Sequence, residues 1–222
     1  MADHAGRETQ ADLLSSTSPS TVGAGAAGRP AAAVESAPLS VEAVAEPISL
    51  ASLASRLQAA AIARSVSVAT AESCTGGLVG HSITEVPGSS GYFRGTVVSY
   101  ADDLKVRLLG VPEAILERHG AVSAQVAVAM AEGARTVLGA TYAVAVTGVA
   151  GPQGGTAAKP VGRTYVAAVG PQGHEVRRHT WSGARASNKQ DSARSALELL
   201  IELIEAPGTA DEPPGTADEP PG

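Results

Sequence analysis

The sequence contains one cysteine, few aromatic residues and no long apolar run. Because Cys74 is the single cysteine, an internal disulfide is excluded, which favours a reducing, cytoplasmic location. Aromatic residues make up 3% of the chain, too few for the stacking platforms that bind single-stranded nucleic acid. No stretch approaches about eighteen consecutive apolar residues, so we expect no membrane span.

The two ends of the chain are rich in small, polar and acidic residues. Residues 1–47 lack a sustained apolar period, and residues 206–222 form a Pro/Gly/acidic repeat. Neither segment has enough apolar surface to offset the entropy of ordering, so both are predicted to be disordered. Each carries a charge of −4, which leaves +2 for residues 48–205 out of a total of −6. A nearly neutral core argues against a nucleic-acid surface but is compatible with a small anionic ligand.

Helix-like and strand-like segments alternate between residues 48 and 205. Helical spacing of apolar residues, glycine stops and the caps Ser49 and Ser123 predict helices over 50–61, 78–85, 103–109, 112–119, 123–138 and 184–205. Apolar or alternating runs predict strands over 66–70, 95–100, 142–148, 163–170 and 174–183. This alternation predicts a three-layer α/β/α domain with a mixed sheet.

Three unusual loops follow predicted strands: ESCTGG at 72–77, YADDLK at 100–105 and TGVAGPQGGTAAKPVG at 147–162. Ligands of such folds bind at the carboxyl ends of the strands, and glycine-rich backbone exposes N–H groups to phosphates or oxyanions. The loops match neither G-x-G-x-x-G nor G-x-x-x-x-G-K-[ST]. A ligand crevice is therefore predicted, without a nucleotide-binding fingerprint to define its class.

Long motifs in these loops resemble those of the CinA carboxy-terminal domain family, the nicotinamide-nucleotide amidohydrolases. They are AESCTGGL, VPGSSGYFRGTVVSYADDLK, HGAVS and AVTGVAGPQGGTAAKPVG, and the resemblance covers about residues 48–205. It implies hydrolysis of the carboxamide of nicotinamide mononucleotide to nicotinate mononucleotide and ammonia, in pyridine-nucleotide salvage and without a cofactor. Where the family commonly has Ser-Asn after the tyrosine, this chain has Ala101-Asp102, so an asparagine amide is missing.

Amide hydrolysis without a metal needs a nucleophile, a base and donors for the oxyanion. A metal route is not indicated, because no recognised ligand spacing connects the five histidines, His4, His81, His119, His174 and His179. The resemblance favours Ser73 as nucleophile, Lys105 as its base and Tyr100 as a relay, with a Ser-His-Asp triad formed by tertiary contact as the alternative. Cys74 is intrinsically the stronger nucleophile, but we expect it to face away from Ser73 and to be a small buried hydrophobe.

The substrate-binding residues are predicted in the same loops. They are Glu72, Thr75, Gly76, Gly77, Thr147, Gly148, Gly151, Gly154, Gly155, Lys159 and Arg163. The third loop should hold the phosphate, with Lys159 or Arg163 as the cation, while the amides of residues 75–77 should stabilise the oxyanion. Purely structural interpretations stay open: Glu72 could cap a helix, Thr147 could end a strand and the cations could face solvent.

A second functional interpretation is a non-catalytic nucleotide-binding module that regulates competence or the response to DNA damage. The presence of Ser73, Tyr100 and Lys105 together favours the enzyme. The partners we expect are a small nucleotide substrate and further copies of the chain, as a homo-oligomer, with neither nucleic acid nor membrane.

Overall fold

The structure, a computed structural model, describes residues 48–207. The terminal segments predicted to be disordered lie outside this range, apart from residues 206 and 207. The helices are α1 Leu50–Ala63, α2 Leu78–Thr84, α3 Asp102–Leu109, α4 Glu113–His119, α5 Ala124–Val137 and α6 Arg185–Glu205. The strands are β1 Val68–Glu72, β2 Phe93–Val98, β3 Tyr142–Gly148, β4 Arg163–Gly170 and β5 Gly173–Thr180.

The five strands form one mixed sheet in the order β2-β1-β3-β4-β5. Strand β1 is parallel to both β2 and β3, whereas β3 with β4 and β4 with β5 are antiparallel. The carboxyl ends of β1, β2 and β3 therefore lie side by side at one edge. Because β5 is parallel to β3, it also ends at this edge, so α6 begins there.

Helices cover both faces of the sheet, which confirms the predicted three-layer α/β/α class. On one face α1, α2 and α6 pack on a buried apolar cluster that includes Leu57, Val144 and Leu200. On the other face α3, α4 and α5 pack on a second cluster that includes Met130 and Val169. Burial of these apolar side chains is the main stabilising contribution of the fold.

Local signals placed most elements correctly. The hydroxyl oxygens of Ser49 and Ser123 accept the N–H groups of Ser52 at 3.1 Å and Val126 at 3.3 Å, as expected of N-caps. Strand β1 lies two residues later than predicted, because pairing with β3 continues it through Ala71 and Glu72. Strand β2 lies two residues earlier than predicted, because its pairing with β1 runs from Phe93 to Val98. Among residues 48–207, no helix is long and apolar enough to cross a membrane.

Candidate active site

A cleft of about 280 Å³ opens at the carboxyl ends of the three parallel strands. Seven of the predicted site residues line it: Ser73, Tyr100, Lys105, Thr147, Gly148, Gly151 and Gly154. Eight residues that the sequence prediction did not assign to the ligand line it too, and among them are Cys74, Asp102, Gln153 and Arg185. The topology thus brings the three proposed catalytic residues into one cleft.

Ser73 lies immediately after β1, where the chain leaves the sheet. Its N–H donates to the carbonyl of Val146 at 3.0 Å, and its carbonyl accepts the N–H of Gly76 at 3.1 Å, which closes a tight turn. Within the described part of the chain, its hydroxyl has no hydrogen-bond partner. A fixed backbone and an unengaged hydroxyl suit a nucleophile.

Cys74 also borders the cleft, and its burial confirms the expectation of a small buried hydrophobe. The alternation of a strand does not apply to Ser73 and Cys74, because Cys74 lies in the turn that follows Ser73. Its side chain is buried in the apolar cluster next to α1 and α6, and this burial raises the pKa of the thiol to about 12. The thiol is therefore protonated near neutral pH, which makes it a poor nucleophile.

Glu72 is a helix cap and does not line the cleft. Its fully buried carboxylate accepts the N–H groups of Gly77 at 2.9 Å, Val79 at 3.1 Å and Gly80 at 2.8 Å. Thr96 donates a fourth hydrogen bond, at 3.3 Å. The carboxylate oxygens of Glu72 point at the first turn of α2, so Glu72 caps this helix. The prediction that Glu72 binds the ligand is corrected accordingly.

The turn at residues 75–77 does not present a row of amides to the cleft. The N–H of Gly76 donates to Ser73, and the N–H of Gly77 donates to Glu72. Thr75 is fully buried, and its hydroxyl has no partner among residues 48–207. The predicted oxyanion donors at Gly76 and Gly77 are thus already engaged, and none of the three residues lines the cleft.

Lys105 is the most deeply buried charged side chain of the cleft. Its side chain is 1% exposed, and Nζ lies 3.1 Å from the carbonyl of Ser99, 3.4 Å from that of Tyr100 and 3.1 Å from Oδ1 of Asp102. Ser73 is not among these partners. In this arrangement Lys105 contributes positive charge to the cleft, and to act as a base it has to release a proton first.

Tyr100 and Arg185 meet on the open side of the cleft. The guanidinium of Arg185, in the first turn of α6, donates to the Tyr100 hydroxyl oxygen at 3.1 Å and to the Gly151 carbonyl at 2.8 Å. Tyr100 is 59% exposed, so its ring is accessible to a ligand. Arg185 is thus a cation in the wall of the cleft that the sequence prediction did not include.

The third loop contributes backbone to the cleft but not its cations. Gly155 does not line the cleft, and a side chain there would collide with the backbone of Val161. Lys159 and Arg163 do not line the cleft either. Nζ of Lys159 donates to the His119 carbonyl at 2.6 Å, at the carboxyl end of α4.

Lys159 and Arg163 lie outside the cleft for a simple physical reason. The carboxyl end of a helix carries partial negative charge, which attracts the ammonium of Lys159. Arg163 begins β4, and its Nε donates to the Thr180 hydroxyl at 3.0 Å, across the ladder to β5. Thr147 lines the cleft, but its hydroxyl donates to the Ala121 carbonyl at 2.8 Å.

Comparison with known proteins identifies the family. The sequence profile of the CinA C-terminal domain matches residues 50–204. The chain is 51% identical over 136 residues to a CinA-like protein of Salinibacter ruber, covering 61% of this chain and 33% of that protein. It is 46% identical over 144 residues to a putative competence-damage inducible protein of Moorella thermoacetica, covering 65% and 35% of the two chains.

Solved structures show the same fold over the whole domain. The competence/damage inducible protein CihA of Agrobacterium tumefaciens is 41% identical with a TM-score of 0.67, covering 71% of this chain and 96% of that one. A CinA superfamily protein of Klebsiella pneumoniae is 30% identical with a TM-score of 0.68, covering 71% and 98%.

The fold and cleft define a three-layer α/β/α protein with a cleft at the carboxyl ends of its parallel strands. The chain belongs to the CinA C-terminal domain family. It spans about a third of the length of the curated relatives that it matches.

Proposed function

We propose that this protein hydrolyses the carboxamide of nicotinamide mononucleotide to nicotinate mononucleotide and ammonia, with Ser73 as nucleophile. The observation that carries the proposal is the Ser73 hydroxyl, which has no partner among the described residues and shares a cleft with Lys105 and Arg185. The family resemblance supplies the substrate class. The cleft volume of about 280 Å³ is near the lower end for small-molecule sites, which favours a mononucleotide over a dinucleotide.

The proposed reaction proceeds through an ester of Ser73. Oγ of Ser73 bonds to the carboxamide carbon while its proton passes to the neutral amine of Lys105. The carbon–nitrogen bond then breaks, and the nitrogen takes up that proton and leaves as ammonia. Attack of water on the ester releases the carboxylate and restores the serine hydroxyl.

Two cations of the cleft have separate tasks in this scheme. Lys105 becomes positively charged when it accepts the serine proton, at the moment when negative charge develops on the carbonyl oxygen, and stabilises that charge. Arg185 is placed to bind the phosphate, because a guanidinium offers several N–H donors to phosphate oxygens. The exposed ring of Tyr100 is held by Arg185 and is available to contact the substrate ring.

The proposal is tested by measuring ammonia release from nicotinamide mononucleotide, nicotinamide riboside and nicotinamide adenine dinucleotide, with and without a chelator. We expect release from the mononucleotide, unchanged by the chelator, and no release by Ser73→Ala. Calorimetry should show that Ser73→Ala still binds the mononucleotide. Binding by the unmodified protein without ammonia release would instead favour the regulatory nucleotide-binding module.

Homo-oligomer formation and cytoplasmic location stay predictions.

A further inference from the structure

Asp102 and Lys105 form an ion pair in the wall of the cleft. Asp102 is the first residue of α3 and its side chain is 66% exposed, whereas Lys105, one turn later, is 1% exposed. Oδ1 of Asp102 lies 3.1 Å from Nζ of Lys105. The pair therefore joins a solvent-accessible carboxylate to a buried amine and differs from an ordinary surface ion pair.

The acceptors around Lys105 fix the direction of its nitrogen. Two are backbone carbonyls, of Ser99 at 3.1 Å and Tyr100 at 3.4 Å, and the third is the carboxylate of Asp102. An ammonium has three N–H donors, enough for all three acceptors. A neutral amine has two N–H donors and one lone pair, so the two 3.1 Å contacts use both donors. Both strong acceptors, the Ser99 carbonyl and the Asp102 carboxylate, can therefore hold the nitrogen in either protonation state.

We propose that Asp102 is a positioning residue, which with the carbonyl of Ser99 holds the side-chain nitrogen of Lys105 in the wall of the cleft. The carboxylate of Asp102 also places a negative charge 3.1 Å from that nitrogen. The role in catalysis rests on the proposed function, but the effect on the reactivity of Lys105 does not.

The other charged and titratable groups near Lys105 are few. Cys74, Tyr100 and Arg185 line the same cleft, and α5, which packs against α3, contributes no residue to it. Asp103, in the same turn of α3, lies 3.7 Å from Arg107 and is 64% exposed. Asp103 is therefore a matched control, because it has the same charge and nearly the same exposure but does not contact Lys105.

Two substitutions separate the charge of Asp102 from its position. Asp102→Asn keeps an oxygen acceptor but removes the charge, so we expect the acidic limb of the kcat/KM profile to move to lower pH, by about half a unit to one unit. The maximal kcat should fall by less than about threefold, since an amide oxygen still accepts from Nζ of Lys105. Asp102→Ala removes the acceptor too, so kcat should fall by roughly tenfold in addition. Asp103→Asn should change neither quantity.

Trace acetylation with acetic anhydride measures the amine directly. The chain has three lysines, Lys105, Lys159 and Lys189, which mass spectrometry distinguishes after digestion. At pH 8, Asp102→Asn should raise the acetylation rate of Lys105 severalfold relative to Lys189, and Asp103→Asn should leave the ratio unchanged. Equal ratios in the two variants would overturn the proposal. If the unmodified protein releases no ammonia, the proposed function fails while acetylation still decides the effect of Asp102.

Discussion

Arg185 donates a hydrogen bond to the hydroxyl oxygen of Tyr100 at 3.1 Å, although 85 positions separate the two residues in the chain. The same guanidinium donates to the Gly151 carbonyl at 2.8 Å. One side chain of α6 thus connects the loop after β2 with the loop after β3. Loss of Arg185 removes a cation from the cleft and also two contacts that hold its walls.

Arg185→Gln should weaken the binding of nicotinamide mononucleotide more than it slows the chemical step. Hydrogen bonds to charged groups contribute about 1.5–3 kcal/mol, so KM should rise roughly ten- to hundredfold. Steady-state kinetics and calorimetry would measure this. An unchanged KM would show that the phosphate binds elsewhere.

Lys159→Gln and Arg163→Gln are the matched controls for that substitution. Both remove one positive charge from the same side of the sheet, but their side chains contact His119 and Thr180 and not the cleft. We expect KM to stay within about twofold for both, since neither side chain lines the cleft. A larger rise in KM for Lys159→Gln would indicate that the third loop binds the phosphate.

Cys74→Ala should retain most of the activity that Ser73→Ala abolishes. Since burial raises the pKa of the thiol to about 12, the thiolate is scarce near neutral pH. We expect Cys74→Ala to keep kcat within about threefold, and Ser73→Ala to lose roughly a thousandfold or more. Iodoacetamide at pH 7.5 should alkylate the folded protein far more slowly than the urea-unfolded chain. An inactive Cys74→Ala with an active Ser73→Ala would identify the cysteine as nucleophile.

Glu72→Gln should reduce stability, since the carboxylate accepts three backbone N–H groups at the start of α2. A glutamine amide would direct N–H donors at some of these N–H groups. We expect a loss of roughly 2–4 kcal/mol in the free energy of unfolding, measured by urea denaturation. Glu85→Gln, at the exposed end of α2, should change it by less than about 0.5 kcal/mol. A rise in KM with unchanged stability would instead support ligand binding by Glu72.

The sequence predicts the fold well where structure depends on local pattern. Strands β3 and β4 match their predicted bounds, because continuous apolar runs have one stable location, inside the sheet. The location of the cleft was also predictable, since parallel strands place their carboxyl ends together. Ser73, Tyr100 and Lys105 follow two of these strands and so reach the cleft by topology alone.

The predictions that failed concern residues whose positions depend on contacts between segments far apart in the chain. Arg185 reaches the cleft because two antiparallel strands, β4 and β5, return the chain to the same edge, which no local motif around Arg185 indicates. Lys159 is drawn to the end of α4, an element 40 residues earlier in the chain. A search for cations at the start of the helix after β5 would have found Arg185.

The last prediction concerns the pH dependence of stability at His179, on β5. Nε2 of His179 lies 2.8 Å from the hydroxyl of Ser195, and the ring stacks on Trp181 with centroids 4.4 Å apart. Burial lowers the pKa of this imidazole below 6.5, and the positive charge of Arg177 lowers it further. The folded protein therefore favours the neutral ring.

Because the folded pKa is lower than the unfolded one, the stabilising contribution of neutral His179 is complete above pH 6.5. It is lost as the pH falls from 6.5 through the folded pKa, since the unfolded chain takes up the proton first. The free energy of unfolding should decrease in this window by less than about 1.4 kcal/mol per pH unit, the limit for one proton. His179→Gln should flatten this slope, and His174→Gln, at an exposed position of the same strand, should retain it. Urea denaturation at several pH values between 5 and 8 would measure this slope. Equal slopes in the two variants would show that another group takes up the proton.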